Sequence, residues 1–101
     1  MRVIRSGDCK NSAKNSFVEE FTIDLFSQQS LAGRLEGGSP IPTLPLDIQK
    51  IQILHSISHG KVGAANGVLS VNGVEKRFAV FLEFTSVKGV LARKIDLYFS
   101  G

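Results

Sequence analysis

The hydrophobic residues in the first third of the chain recur with the period of an α-helix. One stripe of such a helix contains Phe17, Val18, Phe21 and Leu25. The spacing predicts a helix that begins near Asn11 or Ser12, either of which can cap the N-terminus, and that ends near Gly33. This is the only segment of the sequence that we interpret as a helix.

After position 50 the hydrophobic pattern changes to an alternation of every second residue, which is typical of strands. The alternation predicts four strands, over residues 51–58, 61–71, 74–85 and 90–100. Short connections separate them: His59-Gly60, Asn72-Gly73 and residues 86–89. We expect an α+β fold in a single domain, residues 1–101, with one long N-terminal helix packed on a bent four-stranded antiparallel meander.

The segment between helix and strands, residues 33–47, is too rich in proline to be regular. Pro40, Pro42 and Pro45 each remove a backbone donor and restrict φ, so the segment is extended. It is a surface crossover that covers part of the sheet, or else a mobile lid. We favour the crossover.

The Asn72-Gly73 turn predicts which residues of two strands face each other. Counting outwards from a two-residue turn pairs Val71 with Val74, and it pairs residue 67 with 78 and residue 65 with 80. One face is then nearly all apolar and suits the helix stripe; it carries Leu69, Val71, Phe78, Val80, Leu82, Phe84, Leu91, Ile95, Leu97 and Phe99. The opposite face carries Val62, Ala64, Asn66, Val68, Arg77, Phe81, Glu83, Lys94, Asp96 and Tyr98.

The pattern leaves the face of the first predicted strand open. Its alternating residues are Ile51, Ile53, His55 and Ile57. They join the second face if His59-Gly60 is a two-residue loop, and the first face if a bulge or a one-residue slip intervenes. Either way both faces are substantially apolar, and one helix covers only one of them. Exposed apolar sheet marks a partner surface, so we expect a homodimer formed through the sheet.

Charge and cysteine content argue against several classes of function. The formal net charge is +3, and the basic residues are scattered rather than clustered in a stripe, so we expect no nucleic-acid partner. Cys9 is the only cysteine, which excludes an intrachain disulfide and a thiolate metal cluster. It lies just before the predicted helix, and we interpret it as an incidental thiol rather than a reactive one.

The remaining motif searches also favour a simple domain. The two histidines do not have metal-ligand spacing, and no phosphate-binding glycine loop leads into a helix, so we expect neither metal nor cofactor. No segment approaches the roughly 20 apolar residues that a membrane span needs, and no hydrophobic leader precedes the fold. We therefore expect a cytoplasmic protein without a membrane partner.

Two blocks of the sequence resemble a known family. Residues 7–21, Gly-Asp-Cys-Lys-Asn-Ser-Ala-Lys-Asn-Ser-Phe-Val-Glu-Glu-Phe, form the first, and residues 55–67, His-Ser-Ile-Ser-His-Gly-Lys-Val-Gly-Ala-Ala-Asn-Gly, form the second. Both are similar to small bacterial SnoaL-like proteins of the nuclear transport factor 2 superfamily, and Glu83-Phe84 and residues 94–98 also fit. The resemblance implies a cystatin-like cone with a pocket between helix and sheet. Members of the superfamily include isomerases, dehydratases, cyclases and hydrolases, and also non-catalytic binding and dimerisation domains.

Two departures from the family pattern favour binding over catalysis. Relatives have a second helix, a strand and a third helix before the central block, where this chain has only residues 33–47. Val80 stands where relatives place a carboxylate in the pocket. We therefore expect a non-catalytic module that binds a small apolar ligand or another protein and dimerises through its sheet. The residues expected to contact a ligand are His55, Asn66, Phe81 and Tyr98.

The alternative is a small lyase or isomerase. His55 with Glu83 or Asp96 could act as general acid and base on a small substrate. Against this, His55 lies on an apolar strand face, where a structural histidine is the simpler interpretation. Glu83 can also form a cross-strand ion pair with Lys94, with Asp96 solvated. We assign no catalytic residue and leave enzymatic activity open, leaning against it.

Overall fold

A mixed β-sheet with an α-helix on one face makes up the described part of the chain. The structure is a computed structural model, and it describes residues 1–7, 12–88 and 90–100. The strands lie side by side in chain order; the first is parallel to the second, and the other neighbours are antiparallel. The elements are β1 (Arg2–Ile4), α1 (Ala13–Phe26), β2 (Ile48–His59), β3 (Val62–Val71), β4 (Val74–Phe84) and β5 (Ala92–Ser100).

The predicted fold, a cystatin-like arrangement of one long helix on a four-stranded antiparallel meander, is wrong in two respects. The helix has only 14 residues, and a fifth strand makes the sheet mixed. The helix ends at Phe26 rather than near Gly33 because the chain reverses at Gln28: the Gln28 amide donates to the Leu25 carbonyl at 3.2 Å, and the Gln29 amide donates to the Asp24 carbonyl at 2.9 Å. Gln28 then has φ 57°, which no helical residue adopts. The coarser α+β assignment is confirmed.

Strand β1 escapes prediction because three residues are too few to show an alternation. It pairs with the first half of β2, where Val3 lies opposite Ile51. Two contacts join the segment after β1 to α1. Arg5 Nε donates to Glu20 Oε1 at 2.8 Å, and the Ser6 amide donates to a carboxylate oxygen of Glu19 at 2.7 Å.

The Arg5–Glu20 ion pair predicts a small loss of stability in acid. The hydrogen bond from Arg5 lowers the pKa of Glu20 from its ordinary value of 4.5. Because the folded-state pKa is lowered, the pair stabilises the fold above that ordinary value, and the stabilisation disappears as the pH falls through the lower folded-state pKa. Both side chains are about half exposed, so the effect is below about 1 kcal/mol.

Chemical denaturation of the wild type and of Glu20→Gln measures this contribution. We expect the wild type to be slightly more stable at about pH 7, and this advantage to shrink as the pH is lowered below 4.5. A stability difference that does not change with pH would show that the Glu20 charge is not its cause.

The inner face of the sheet, which α1 covers, contains two clusters of buried side chains. The first joins Val18, Phe21 and Leu25 of α1 to Ala65, Val80, Leu82, Phe84, Ala92 and Ile95 of the sheet, with Leu31 beside them. The second joins Ile23 and Phe26 of α1 to Ile51, Ile53, Leu69 and Phe78.

The proline-rich segment, residues 33–47, closes the rest of the inner face. Leu44 packs against both clusters. The Glu36 amide donates to the Ala92 carbonyl at 2.7 Å, and the Ala92 amide donates to the Arg34 carbonyl at 2.8 Å. These contacts tie the segment to the start of β5, as expected for a crossover.

Strands β3 and β4 have the register that the Asn72-Gly73 turn predicts. Both turn residues have positive φ, 52° and 78°, as a type I′ turn requires. The predicted pairs Val71–Val74, Gly67–Phe78 and Ala65–Val80 are all confirmed.

A bulge puts the two halves of β2 on different faces. The register shift between Ile53 and His55 leaves Leu54 without a directly opposite residue. Before the bulge, Ile51 and Ile53 are buried on the inner face. After it, His55 and Ile57 are exposed on the opposite face. Each of the two assignments that the sequence allowed is therefore right for half of the strand.

The connection between β2 and β3 is Gly60-Lys61, so the predicted His59-Gly60 turn is wrong. His59 is the last residue of β2 and lies opposite Val62. The turn moves by one residue because Gly60, with φ 58°, occupies its first position.

Three predictions near the ends of elements involve residues 9, 11 and 89. The structure does not describe these three residues, which are Cys9, the cap candidate Asn11 and the last residue of the 86–89 loop. The other cap candidate, Ser12, does cap α1, because its hydroxyl accepts from the Asn15 amide at 3.1 Å.

Candidate interaction surface

The sheet face opposite α1, which we call the outer face, is not covered by any other described element. Its residues alternate along the strands with the buried ones. They include His55 and Ile57 of β2, Val62, Ala64, Asn66 and Val68 of β3, Arg77, Ala79, Phe81 and Glu83 of β4, and Lys94, Asp96 and Tyr98 of β5. Towards one end of the sheet the face continues with Lys50 and Gln52 of β2, Ser70 of β3 and Glu75 of β4.

Large apolar side chains on the outer face are open to solvent. Ile57 is 61% exposed, Tyr98 58% and Phe81 44%. Phe81 and Tyr98 pack edge to face, with ring centroids 5.9 Å apart and an interplanar angle of 74°. The apolar residues of neighbouring strands therefore form one connected patch, with Arg77 at one end of β4 and Glu83 at the other.

Two shallow depressions lie within this patch. The first has a volume of about 440 Å³, and its lining includes His55, Ile57, Ala64, Asn66, Ala79 and Phe81. The second, of about 330 Å³, shares Asn66 and Ala79 with the first and extends towards Arg77 and Tyr98. They form because small side chains on β3 and β4 lie between larger ones. Both depressions are open to solvent, and no side chain of the described residues encloses them.

All four residues expected to contact a ligand lie around these depressions. His55, Asn66 and Phe81 line the first, and Tyr98 lines the second. The sequence analysis missed Ala79, which forms part of the floor of both. Extending the pairing outwards from the Asn72-Gly73 turn would have found it, since Ala79 lies opposite Asn66.

The residues considered for acid–base catalysis share the outer face without meeting. His55 is on β2, Glu83 is towards the end of β4, and Asp96 is on β5. His55 is level with Ala79 and Tyr98, so Glu83 lies four residues away along β4 and Asp96 two residues away along β5. With strands about 4.8 Å apart and a rise of about 3.4 Å per residue, each backbone separation is roughly 16 Å, which is more than the two side chains span together. Direct hydrogen bonds between an imidazole and a carboxylate need about 3 Å, and the strand order does not provide it within one chain.

The two carboxylates have basic neighbours of their own. Glu83 accepts hydrogen bonds from Arg93, the extra residue at a register shift between β4 and β5. This hydrogen bond lowers the pKa of Glu83, which keeps the carboxyl group ionised and unsuited to donating a proton. Asp96 lies 3.8 Å from the ammonium of Lys94. The sequence analysis considered a Glu83–Lys94 pair; the bulge brings Arg93 to Glu83 instead.

Within residues 1–7, 12–88 and 90–100, no group of three or more His, Cys, Asp or Glu could hold a metal ion. Within the same ranges, no helix is long and apolar enough to cross a membrane.

The chain was also compared with known proteins. It matches no protein-family model, no curated protein and no solved structure. The resemblance of residues 7–21 and 55–67 to SnoaL-like proteins therefore stays a hypothesis. A proposal about function therefore depends on the geometry of the outer face.

Proposed function

We propose that the protein is a non-catalytic interaction module that forms a homodimer through the outer face. The observation that supports this is the contrast between the two faces of one sheet. The inner face is covered by α1 and residues 33–47, whereas Ile57, Phe81 and Tyr98 of the outer face are about half exposed or more. Burial of apolar surface stabilises by about 25 cal/mol per Å². A covering layer on the outer face would gain this energy.

The size of the outer face suits a second copy of the chain. Four strands of about ten residues, with the usual spacing and rise, have a footprint of roughly 600 Å². Each partner in a standard protein interface buries about 800 Å², measured on a surface with side-chain relief. Two sheets also pack well face to face, because both twist in the same sense and the side chains of their facing surfaces interdigitate.

Sedimentation over a range of protein concentrations tests the proposal. We expect a species of twice the 11.0 kDa chain mass that dissociates on dilution. Phe81→Lys should give a monomer with an unchanged circular dichroism spectrum, because it places a charge at the centre of the outer face. The matched control is Ile41→Lys: Ile41 is also exposed, 56%, but lies in the crossover. This variant should dimerise like the wild type.

Two outcomes would contradict the homodimer. One is a wild-type protein that stays monomeric at high micromolar concentration; the other is a Phe81→Lys variant that dimerises as well as the wild type. In the monomeric case, a thermal-shift screen with small apolar compounds decides whether the depression binds a ligand instead. Stabilisation by a compound that is lost in His55→Ala would replace the homodimer with a ligand-binding function.

A further inference from the structure

We propose that the outer faces of two copies stack on each other with their β4 strands antiparallel. The two-fold axis of this homodimer lies between the sheets, perpendicular to the strands, and crosses β4 at the level of Val80. Arg77 of each copy then lies opposite Glu83 of the other copy. This inference rests on the proposed homodimer and adds the register of its interface. It follows from the order of side chains along β3, β4 and β5.

The outer-facing residues of β4 are complementary to their own reversed order. Along the part of β4 that pairs with both β3 and β5, they are in chain order Arg77, Ala79, Phe81 and Glu83, with Val80 at the centre. Glu75 also faces outwards but precedes the first β4–β5 pair, and its carboxylate lies 3.4 Å from the Lys50 ammonium. A two-fold axis that lies between the sheets and perpendicular to the strands exchanges residues at equal distances from that centre. The exchange sets a guanidinium against a carboxylate at both ends. It also sets each Phe81 ring over the small side chain of Ala79.

The strands on either side of β4 are compatible with the same axis. On β5, Tyr98 and Asp96 lie level with the two central residues of β4. The axis therefore brings the Tyr98 hydroxyl to the Asp96 carboxylate of the second copy, a donor to an acceptor. On β3, Val62 and Val68 lie level with the two ends of the β4 set, so an apolar side chain meets an apolar side chain.

The other simple stacking, with the axis along β4, sets identical residues against each other. Arg77 would meet Arg77, and Glu83 would meet Glu83. Like charges held together across an interface are destabilising. The two Phe81 rings would also meet at the same height, while the space above Ala79 stayed empty. The side-chain order therefore discriminates between the two ways of stacking the faces.

The distances are within reach of the side chains. Packed sheets lie about 10 Å apart and their strands cross at about 30°. Arg77 and Glu83 are each three residues from Val80, about 10 Å along the strand, so the crossing offsets the paired positions by about 5 Å. A long arginine side chain reaching towards a glutamate spans this gap. Glu83 also accepts from Arg93 of its own chain, but a carboxylate has about four acceptor sites and can serve both.

A charge-exchange experiment tests the register. Arg77→Glu and Glu83→Arg each place two like-charged contacts in the dimer, and we expect each to weaken self-association at least about tenfold. The double variant Arg77→Glu/Glu83→Arg restores both contacts in reverse and should dimerise nearly as well as the wild type. Mixing the two single variants should give a heterodimer, because every contact is then between opposite charges. Native mass spectrometry distinguishes the heterodimer from either homodimer.

The outcomes separate this inference from the homodimer itself. If the wild type does not dimerise, the proposed function is wrong. If the wild type dimerises but the single variants dimerise as well as it does, or the double variant is as weak as the single variants, the homodimer stands and the register is wrong. Circular dichroism checks the fold of each variant. If a charge variant is unfolded, the size exchange Ala79→Phe/Phe81→Ala replaces it: the exchange should dimerise more tightly than Phe81→Ala alone, and equal or weaker binding overturns the register.

Discussion

Replacing Gly67 by alanine is expected to lower the free energy of unfolding by about 3 kcal/mol or more. A Cβ atom at this position would lie 1.9 Å from the Gln52 carbonyl oxygen and 2.9 Å from two ring atoms of Phe78. The Gln52 oxygen is backbone of the neighbouring strand, so it moves only if β2 shifts relative to β3. A domain of this size has a total stability of about 5–15 kcal/mol, so the substitution removes a large part of it.

Two other glycines provide a graded comparison. At Gly63 the nearest atoms to an added Cβ are side-chain atoms of Val18 and Phe84, at 2.6 and 3.0 Å, which can shift. We expect Gly63→Ala to cost about 1–2 kcal/mol. At Gly37 nothing lies within 4 Å, so Gly37→Ala should change stability by less than about 0.5 kcal/mol.

Urea denaturation followed by circular dichroism measures all three variants. The expected order of destabilisation is Gly67→Ala, then Gly63→Ala, then Gly37→Ala. A Gly67→Ala variant as stable as Gly37→Ala would contradict the close approach of β2 and β3 beside the bulge.

The second large effect is expected for Phe84→Ala, with a loss of about 3–5 kcal/mol. Phe84 is fully buried, its ring centroid is 5.8 Å from that of Phe17, and the ammonium of Lys14 lies 4.5 Å above the ring. Removing the ring leaves a cavity between α1 and the sheet that the surrounding strands cannot collapse to fill. The variant should unfold at much lower urea concentration.

Phe81→Ala is the matched control, because it removes the same side chain from the same strand on the opposite face. Phe81 is 44% exposed, so the monomer should lose less than about 1 kcal/mol. Self-association should weaken instead. Denaturation must be measured at a concentration where the wild type is monomeric, since a dimer raises the apparent stability by mass action. Equal losses of monomer stability in Phe81→Ala and Phe84→Ala would contradict the assignment of faces.

Much of the sheet could be predicted from the sequence because its signals are local. Asn72-Gly73 specifies a two-residue turn, and the turn specifies the register of β3 and β4. The alternation of side chains then places Phe84 on the inner face and Phe81 on the outer face. The candidate surface was predictable to the same extent: His55, Asn66, Phe81 and Tyr98 do share one face, although the position of His55 depended on a bulge.

The parts that were wrong depend on contacts between distant residues. The sequence offers Gly33 as a helix end, but the helix stops at Phe26, because Gln28 adopts a left-handed conformation and Leu31 packs into the first cluster. Three residues make a strand at β1 only because β2 offers its edge as a partner.

Leu54, the surplus residue at the second register shift of β2, shows the same division. Periodicity read from the sequence establishes that residues 51–57 form a strand with two kinds of face. It does not say at which residue the buried side chains move from one face to the other, because the position of a bulge depends on the packing of the neighbouring strand. Ile53 lies across from Gly67, whose missing side chain lets the Gln52 carbonyl and the Phe78 ring approach β3. The turn and the alternation were set by neighbours along the chain; the bulge, and with it the apolar outer face around Ile57, was set by packing across strands.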